Sequence, residues 1–398
     1  MRTNQKDVRV SNTRKILDLL RQQPALTVGE LSTETRLSRS TVAKILGILT
    51  GASVVSNRET AESTLEGGKP PRLFSLNAEG GHLIGIHYSG NHFFGSLVDL
   101  QLRVITSLAQ PVRADIRAAE IVDLLEQMVR GLLLSSDTNG GRCLGIGLGA
   151  PGVTDLGLGE VVFSPHHPGI GEHLALRDLL AERLEYVAPV FVDNSIRFRT
   201  LAEQTMGHLR GVRDGAVIYC DDGIISGLLL DGQIRRGPNS LAGSIGHMTI
   251  NPSDPVQCDC GGYGCWEMQV SPRRLVAEMG ARLKRRAPKE SPGGELTVAT
   301  VLDRADDGDP DAVELIEGVA HWFAVGIHNM ILAYDPETIV IQGVYARPDS
   351  HFFRSLTEQI TEVSLVRAPF QTRVVCSNLG KDAANIGAAS YSLSMTLA

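Results

Sequence analysis

No uninterrupted apolar run in the 398-residue chain reaches the roughly 18 uncharged residues that a membrane-spanning helix requires. The opening MRTNQKDVRV lacks the apolar stretch of a secretory signal. Both absences predict a cytoplasmic protein without a membrane partner. Cysteine is scarce: six residues in so long a chain are too few for a disulfide scaffold, which fits a reducing compartment. Aromatics contribute 5% and charged residues 21%, while 42% of the chain is hydrophobic, with 42 glycines and 18 prolines. That profile excludes bulk disorder and collagen-like repeats and predicts a globular protein with a sizeable core. At about 150 residues per domain, the length predicts two or three domains.

The net charge of −7 conceals an asymmetry. Residues 1–76 carry 12 Lys/Arg against 7 Asp/Glu, and the remainder carries 26 against 38, so only the N-terminal piece suits a polyanion. Within it, Ile16, Leu19 and Leu20 give helical spacing over 12–22, ended by Pro24. Thr27 with Glu30 reads as a capping box opening a second helix that buries Val28 and Leu31. Thr35-Arg36-Leu37 makes a turn, and Ser38 caps a third helix. Val42, Ile45, Leu46 and Leu49 share one face of that helix, leaving Arg39, Ser40, Thr41 and Lys44 on the other, until Gly51 stops it. Two short helices joined by a tight turn, the second opening with small polar and basic residues, suit entry of a helix into the DNA major groove. Residues 53–57 and 73–76 then read as a hairpin whose basic tip, with Lys69 and Arg72, forms a wing. The competing reading is a helical cap whose basic residues are merely solvated.

Residues 77–82 (NAEGGH) read as a linker, and from 83 onward the pattern alternates. Strand-like runs at 83–88, 95–99, 144–148, 190–193, 216–219, 226–230 and 339–342 are interleaved with helical stretches at 118–134, 175–184, 196–206, 273–285 and 312–333. This predicts an α/β architecture over 83–398.

The densest chemistry lies at Cys258-Asp259-Cys260-Gly261-Gly262-Tyr263-Gly264-Cys265-Trp266-Glu267. Glycines at 261, 262 and 264 let the chain curl so that three thiolates converge. A fourth ligand, for which His247 is the natural choice, would complete the closed tetrahedron of a structural zinc and leave no position for a reactive water. Buried free thiols, or a redox pair at 258 and 260, are the alternatives.

Together with Gly149-Ala150-Pro151-Gly152, Gly243-Ser244-Ile245-Gly246-His247 and Asp335-Pro336-Glu337-Thr338-Ile339-Val340, these segments resemble the ROK family of repressors, open reading frames and sugar kinases. The resemblance covers nearly the whole chain. It implies a winged helix-turn-helix over 1–76, a linker, and a bilobal actin-like sugar-kinase fold over 83–398 that binds its ligand between two lobes. It also shows departures from the kinases. Where they carry an Asp-x-Gly-Gly-Thr type phosphate loop, this chain has His87-Tyr88-Ser89-Gly90-Asn91; where they carry a Gly-Thr-Gly type segment, it has Asp221-Asp222-Gly223-Ile224-Ile225. Where they carry the Asn-Asp pair whose aspartate is the general base, it has Asn194-Ser195. The resemblance matches Asn194, His247 and Glu267 to sugar-binding positions, with Ser195 and Ser244 in place of carboxylates. His166 and His167 fall in the corresponding loop and read as exposed histidines sooner than as ligand donors.

These expectations describe a DNA-binding regulator of carbohydrate genes, a homodimer or homotetramer, bound to a double-stranded operator. A noncatalytic domain with structural zinc would sense a small effector, a sugar or derivative. The rival readings are an ATP-dependent sugar kinase and a DNA-bound scaffold without effector control.

Overall fold

The computed structural model describes residues 5–59, 71–134, 141–164, 167–286, 295–361 and 372–398. The chain divides into two compact units, Met1–Leu201 with Lys381–Ala398, and Ala202–Gly380.

The first unit opens with α1 (Gln5–Gln22), β1 (Leu26–Thr27), α2 (Val28–Thr35) and α3 (Arg39–Gly51), followed by β2 (Val55–Glu59) and β3 (Arg72–Leu76). Helix α1 starts ahead of the expected residue 12. β1, β3 and β2 form a small antiparallel sheet in that order, with Val55 opposite Leu76. Ile16, Leu17, Leu20, Leu31, Val42, Leu46 and Leu49 are all nearly or fully buried, so the three amphipathic helices form a core of their own. This is the expected winged helix. The expected wing tip, including Lys69, lies outside the described residues.

The chain continues through β4 (His82–Ser89), β5 (His92–Asp99), β6 (Val104–Pro111), α4 (Ala118–Leu134), β7 (Cys143–Ala150), β8 (Val153–Asp155), β9 (Glu160–Phe163), α5 (Leu176–Arg183) and β10 (Val190–Asn194). A five-stranded sheet runs β10-β7-β4-β5-β6, with β4, β5 and β6 antiparallel and β7 and β10 parallel to β4. β8 and β9 pair separately. Apolar residues of α4, α5 and the sheet form one cluster, including Ile86, Phe93, Leu125, Ile146 and Leu180.

Helix α6 (Ser195–Met206) carries the chain into the second unit: β11 (Gly215–Cys220), β12 (Ile224–Leu230), β13 (Gln233–Arg235), α7 (Trp266–Val270), α8 (Pro272–Arg286), α9 (Val298–Asp306), α10 (Pro310–Tyr334), β14 (Thr338–Gly343), α11 (His351–Thr361) and β15 (Arg373–Cys376). Its sheet runs β13-β12-β11-β14-β15, parallel at β11-β14-β15. Helix α10 is long and apolar enough to cross a membrane by length and composition alone, yet Ile316, Phe323, Ile327 and Met330 on it belong to this unit's core.

The chain returns to the first unit as α12 (Ala383–Thr396), which packs on β4 and β7. The packing is backbone on backbone. A Cβ on Gly85 would stand 1.8 Å from the Asn385 carbonyl oxygen, and one on Gly147 would stand 2.1 Å from that of Ala388. Neither position therefore accepts any residue larger than glycine without moving the helix. α12 also meets α1, so the winged helix and the first sheet share this helix.

Candidate DNA-binding, metal and ligand sites

The capping box at α2 forms as expected. Glu30 N–H donates to Thr27 Oγ1 (3.2 Å), while Thr27 N–H and its hydroxyl donate to Glu30 Oε2 (2.7 and 2.8 Å). These bonds hold the Glu30 carboxyl below its ordinary pKa. Helix α2 ends at Arg36 in the left-handed region (φ 57°), and Ser38 then caps α3 by accepting from Thr41 N–H at 3.2 Å. Arg39, Ser40 and Lys44 are exposed and Thr41 is half-buried, opposite the buried Val42, Ile45, Leu46 and Leu49. The hydroxyls of Ser40 and Thr41 also lie 2.9 and 2.8 Å from Ser38 Oγ, so both support the cap. Arg72 is exposed at the start of β3. Two further exposed basic residues were absent from the sequence expectations, Arg36 in the inter-helix turn and Arg58 on β2. The hairpin pattern could have flagged Arg58, the penultimate residue of its strand.

In the second unit, His247, Cys258, Cys260 and Cys265 bring their donor atoms within 4.8 Å of one another. Cys258 Sγ lies 3.7 Å from His247 Nδ1 and Cys260 Sγ 3.6 Å from Cys265 Sγ. Tetrahedral coordination with metal–sulfur bonds of about 2.3 Å and metal–nitrogen bonds of about 2.0 Å places such donors about 3.5–3.8 Å apart, so the donor set fits a tetrahedral cation. All six cysteines are free. Gly261 and Gly264 take positive φ (85° and 67°), whereas Gly262 serves differently, its N–H pointing at Cys260 Sγ at 3.4 Å. Trp266 is fully buried, edge-on to Phe323, and it locks the last ligand to the core. A Cβ on Gly326 would stand 2.3 Å from its indole, so this glycine makes room for the ring.

Burial pushes the Cys265 thiol up to about 12, with its neighbouring thiols adding to the shift, and burial likewise raises Cys258. The Gly262 N–H lowers Cys260. Three thiolates therefore require a cation's charge to coexist here. A second set of contacts steadies the approach to the loop: buried Asp254 accepts from Gln269 (2.5 Å), Arg274 (2.7 Å) and Val256 N–H (3.0 Å).

The residues expected at the ligand fall into both units. In the second, Ser244 is half-buried, His247 is exposed, and Glu267 opens α7, its Oε2 accepting from Ile224 N–H at 3.2 Å. In the first, Asn194 Nδ2 donates to the Gly152 carbonyl (2.6 Å) while its Oδ1 accepts from Ile196 N–H (3.0 Å). Ser195 Oγ donates to the Gly149 carbonyl at 3.1 Å. Both ends of the Asn194 amide and the serine proton are thus engaged with backbone. The turn 221–223 joins β11 to β12; Asp221 accepts from the Tyr219 hydroxyl (2.8 Å), and Asp222 lies 3.9 Å from Arg273.

His87 is 2% exposed on β4. Its Nδ1–H donates to Asn385 Oδ1 (2.6 Å) and its Nε2 accepts from Arg199 (3.1 Å), which fixes a neutral tautomer. Asn385 Nδ2 donates in turn to Ser96 (2.8 Å), and Ser96 to Asp382 (3.0 Å). Expected in a loop with its neighbour, His167 is instead 3% exposed, its Nε2 2.6 Å from the Tyr88 hydroxyl and its ring edge-on to that tyrosine. The histidine is a packed partner of β4, which corrects the expectation of an exposed residue. His166 lies outside the described residues.

A family model described as the ROK family matches residues 83–394, and one described as winged helix-turn-helix DNA-binding matches 11–56. The crystal structure of a ROK family transcriptional regulator, a homologue of the Escherichia coli MLC protein, superposes with a TM-score of 0.81 at 24% identity, covering 98% of this chain and 97% of that one. A xylose repressor of Bacillus spizizenii is 23% identical over 384 residues, 96% of this chain and 95% of the repressor. A glucokinase of Halalkalibacterium halodurans is 31% identical over 250 residues, 61% of this chain and 74% of the kinase.

The buried histidine yields a pH prediction. Burial first, and the Arg199 charge second, depress the His87 pKa from 6.5 to about 3, so the unfolded chain takes up the proton first. The contribution of this group to stability is full above the unfolded pKa and is lost as pH falls through the window toward 3, at on the order of 1 kcal/mol per pH unit. Urea unfolding between pH 7 and pH 4 should show the wild type losing stability relative to His87→Gln; parallel pH profiles would refute the neutral assignment.

Proposed function

Because the chain belongs to the ROK family and carries a winged helix-turn-helix ahead of the matched body, we propose that it is a DNA-binding transcriptional regulator, a repressor of carbohydrate-metabolism genes. The carrying observation is α3, whose Arg39, Ser40 and Lys44 face solvent at its N-terminal half while its other face is core. Small side chains at the start of such a helix let it approach base edges, and Arg39 supplies a donor fork for guanine. Lys44, Arg72 and Lys69 serve the phosphates, joined by Arg36 and Arg58. The protein acts in the cytoplasm as a homodimer or homotetramer on a pseudo-palindromic operator.

Its sensor is the sugar-kinase-like body. Asn194, Ser195, Ser244, His247 and Glu267 contact a small effector, a sugar or derivative. Catalysis is absent in this reading. A serine bonded to a backbone carbonyl replaces the kinases' base, His87 is buried and neutral where they hold an acid, and two carboxylates occupy the second phosphate segment. The likeness to glucokinases keeps the kinase as the second reading. Zinc is the cation for the Cys258, Cys260, Cys265 and His247 set, and with every position filled by protein it is structural.

On DNA, a duplex selected from random sequence should be bound with an affinity that falls steeply with salt. Arg39→Ala should cost about 1–3 kcal/mol and relax specificity, while Arg72→Ala should weaken binding evenly across sequences. Operator binding by a chain beginning at Gly80 would sink the reading.

For the metal, about one zinc per chain should copurify, and Cys260→Ser should lower the melting temperature sharply, because structural zinc contributes on the order of 10 kcal/mol. Metal-free protein with unchanged stability would count against it.

As to catalysis, neither the wild type nor Ser195→Asp should phosphorylate hexoses, pentoses or amino sugars with ATP and magnesium, since nothing holds the phosphates. ATP-dependent turnover lost on Asn194→Ala would restore the kinase.

A further inference from the structure

Among the described residues, the winged helix is fastened to the rest of the first unit at three places, one of which carries unusual chemistry. The short connection after β3 is itself tied down: Asn77 N–H donates to the Val54 carbonyl (2.9 Å), Asn77 Nδ2 to that of Ser53 (2.8 Å), and His82 N–H to that of Arg142 (3.0 Å). Helix α1 packs on α12. At the third place Arg21, in the last turn of α1, reaches 79 residues along the chain to donate Nε–H to the Leu100 carbonyl at 3.0 Å, with Nη1 on Asp18 at 2.8 Å.

Leu100 sits at the tip of the β5–β6 hairpin. The turn closes with Leu102 N–H on the Asp99 carbonyl (2.9 Å), and Arg103 is held on Asp99 through its N–H (2.9 Å) and Nε (2.7 Å). Leu102 stands at φ 65°, where such hairpins ordinarily place glycine or asparagine. A branched apolar side chain in that conformation is strained, and here it is 4% exposed beside the fully buried Leu100. The Arg21 side chain is 8% exposed, and its Nη2 has no hydrogen-bond partner among the described residues. A strained leucine and an incompletely satisfied buried guanidinium meet where the DNA-binding module touches the body, and both are tolerated only if the surrounding structure holds them.

We propose that Arg21 is a latch that locks the winged helix rigidly to the β5–β6 tip, so that the body sets the position of the recognition helix. The tip is continuous with the ligand end. β5 pairs residue by residue with β4, placing Phe94 opposite His87, and His87 is bonded to Arg199 on α6, the helix that Ser195 opens directly after Asn194. A displacement of α6 thus has a bonded route through β4 and β5 to Arg21, and the latch keeps the connection from absorbing it. The inference rests on the regulator reading for its purpose but not for its structural content.

Hydrogen exchange on the full chain tests it. In Arg21→Ala, amides at the end of α1 and at 99–103 should lose protection together, by about tenfold or more, while β7 stays unchanged. Arg21→Lys, which keeps the charge and one donor, should fall between. Wild-type exchange in both variants, or loss confined to α1 with the tip still protected, overturns the latch. A second arm uses a duplex selected with the wild-type protein and the same duplex with five base pairs inserted between half-sites, about half a helical turn. The wild type should lose on the order of thirtyfold in affinity and Arg21→Ala only a few-fold. Equal losses would overturn the role in setting the heads. Failure of the wild type to bind any duplex would remove the regulator reading, and the exchange result alone would then decide the latch.

Discussion

Close approach of α12 to β4 and β7 governs the first unit. Gly85 and Gly147 leave nothing between the strands and the helix backbone, and the helix answers with alanine and serine, so the contact gains dispersion at short range rather than through large side chains. The same helix also packs against α1. The winged helix therefore rests on the same element that closes the sheet, and the polar chain from Arg199 through His87 to Asn385 and Ser96 runs into that helix.

The second unit depends on a different device. A loop with three sulfurs and a histidine has too little apolar surface to define its own shape, so it is held by what flanks it: Trp266 in the core, and Asp254 on Gln269 and Arg274. Glu267 follows directly, so the register of the cysteine loop also fixes this carboxylate, whose Oε2 accepts from Ile224 N–H.

Local chemistry made much of this legible in the sequence. Thr27 with Glu30, and Ser38 before an amphipathic run, define helix starts because their bonds lie within four residues; the sulfur spacing defines the metal set for a similar reason. Helix α12 was not legible. Eleven of its fourteen residues are buried, so no polar face alternates with an apolar one and the periodic signal vanishes. Helix α11 is also absent from the sequence expectations, although Phe352, Leu356 and Ile360 recur at a spacing of four. Nor could spacing show the burial of His167, which depends on Tyr88 from a strand 79 residues away. Arg21 is the extreme case: in sequence it is one more basic residue on an amphipathic helix, and only the hairpin tip distinguishes it.

The meeting of α1 with α12 joins residues 5–22 to residues 383–396, which matters while the protein is being made. An emerging polypeptide can complete the three-helix core of the winged module early, since all its residues lie within the first 76. Its seat does not exist until residues 383–396 have left the ribosome, because α12 is built from them. A nascent or prematurely terminated chain would therefore display a DNA-binding head with no body to orient it. Synthesis order itself withholds the finished arrangement until α12 is laid into its glycine-lined groove.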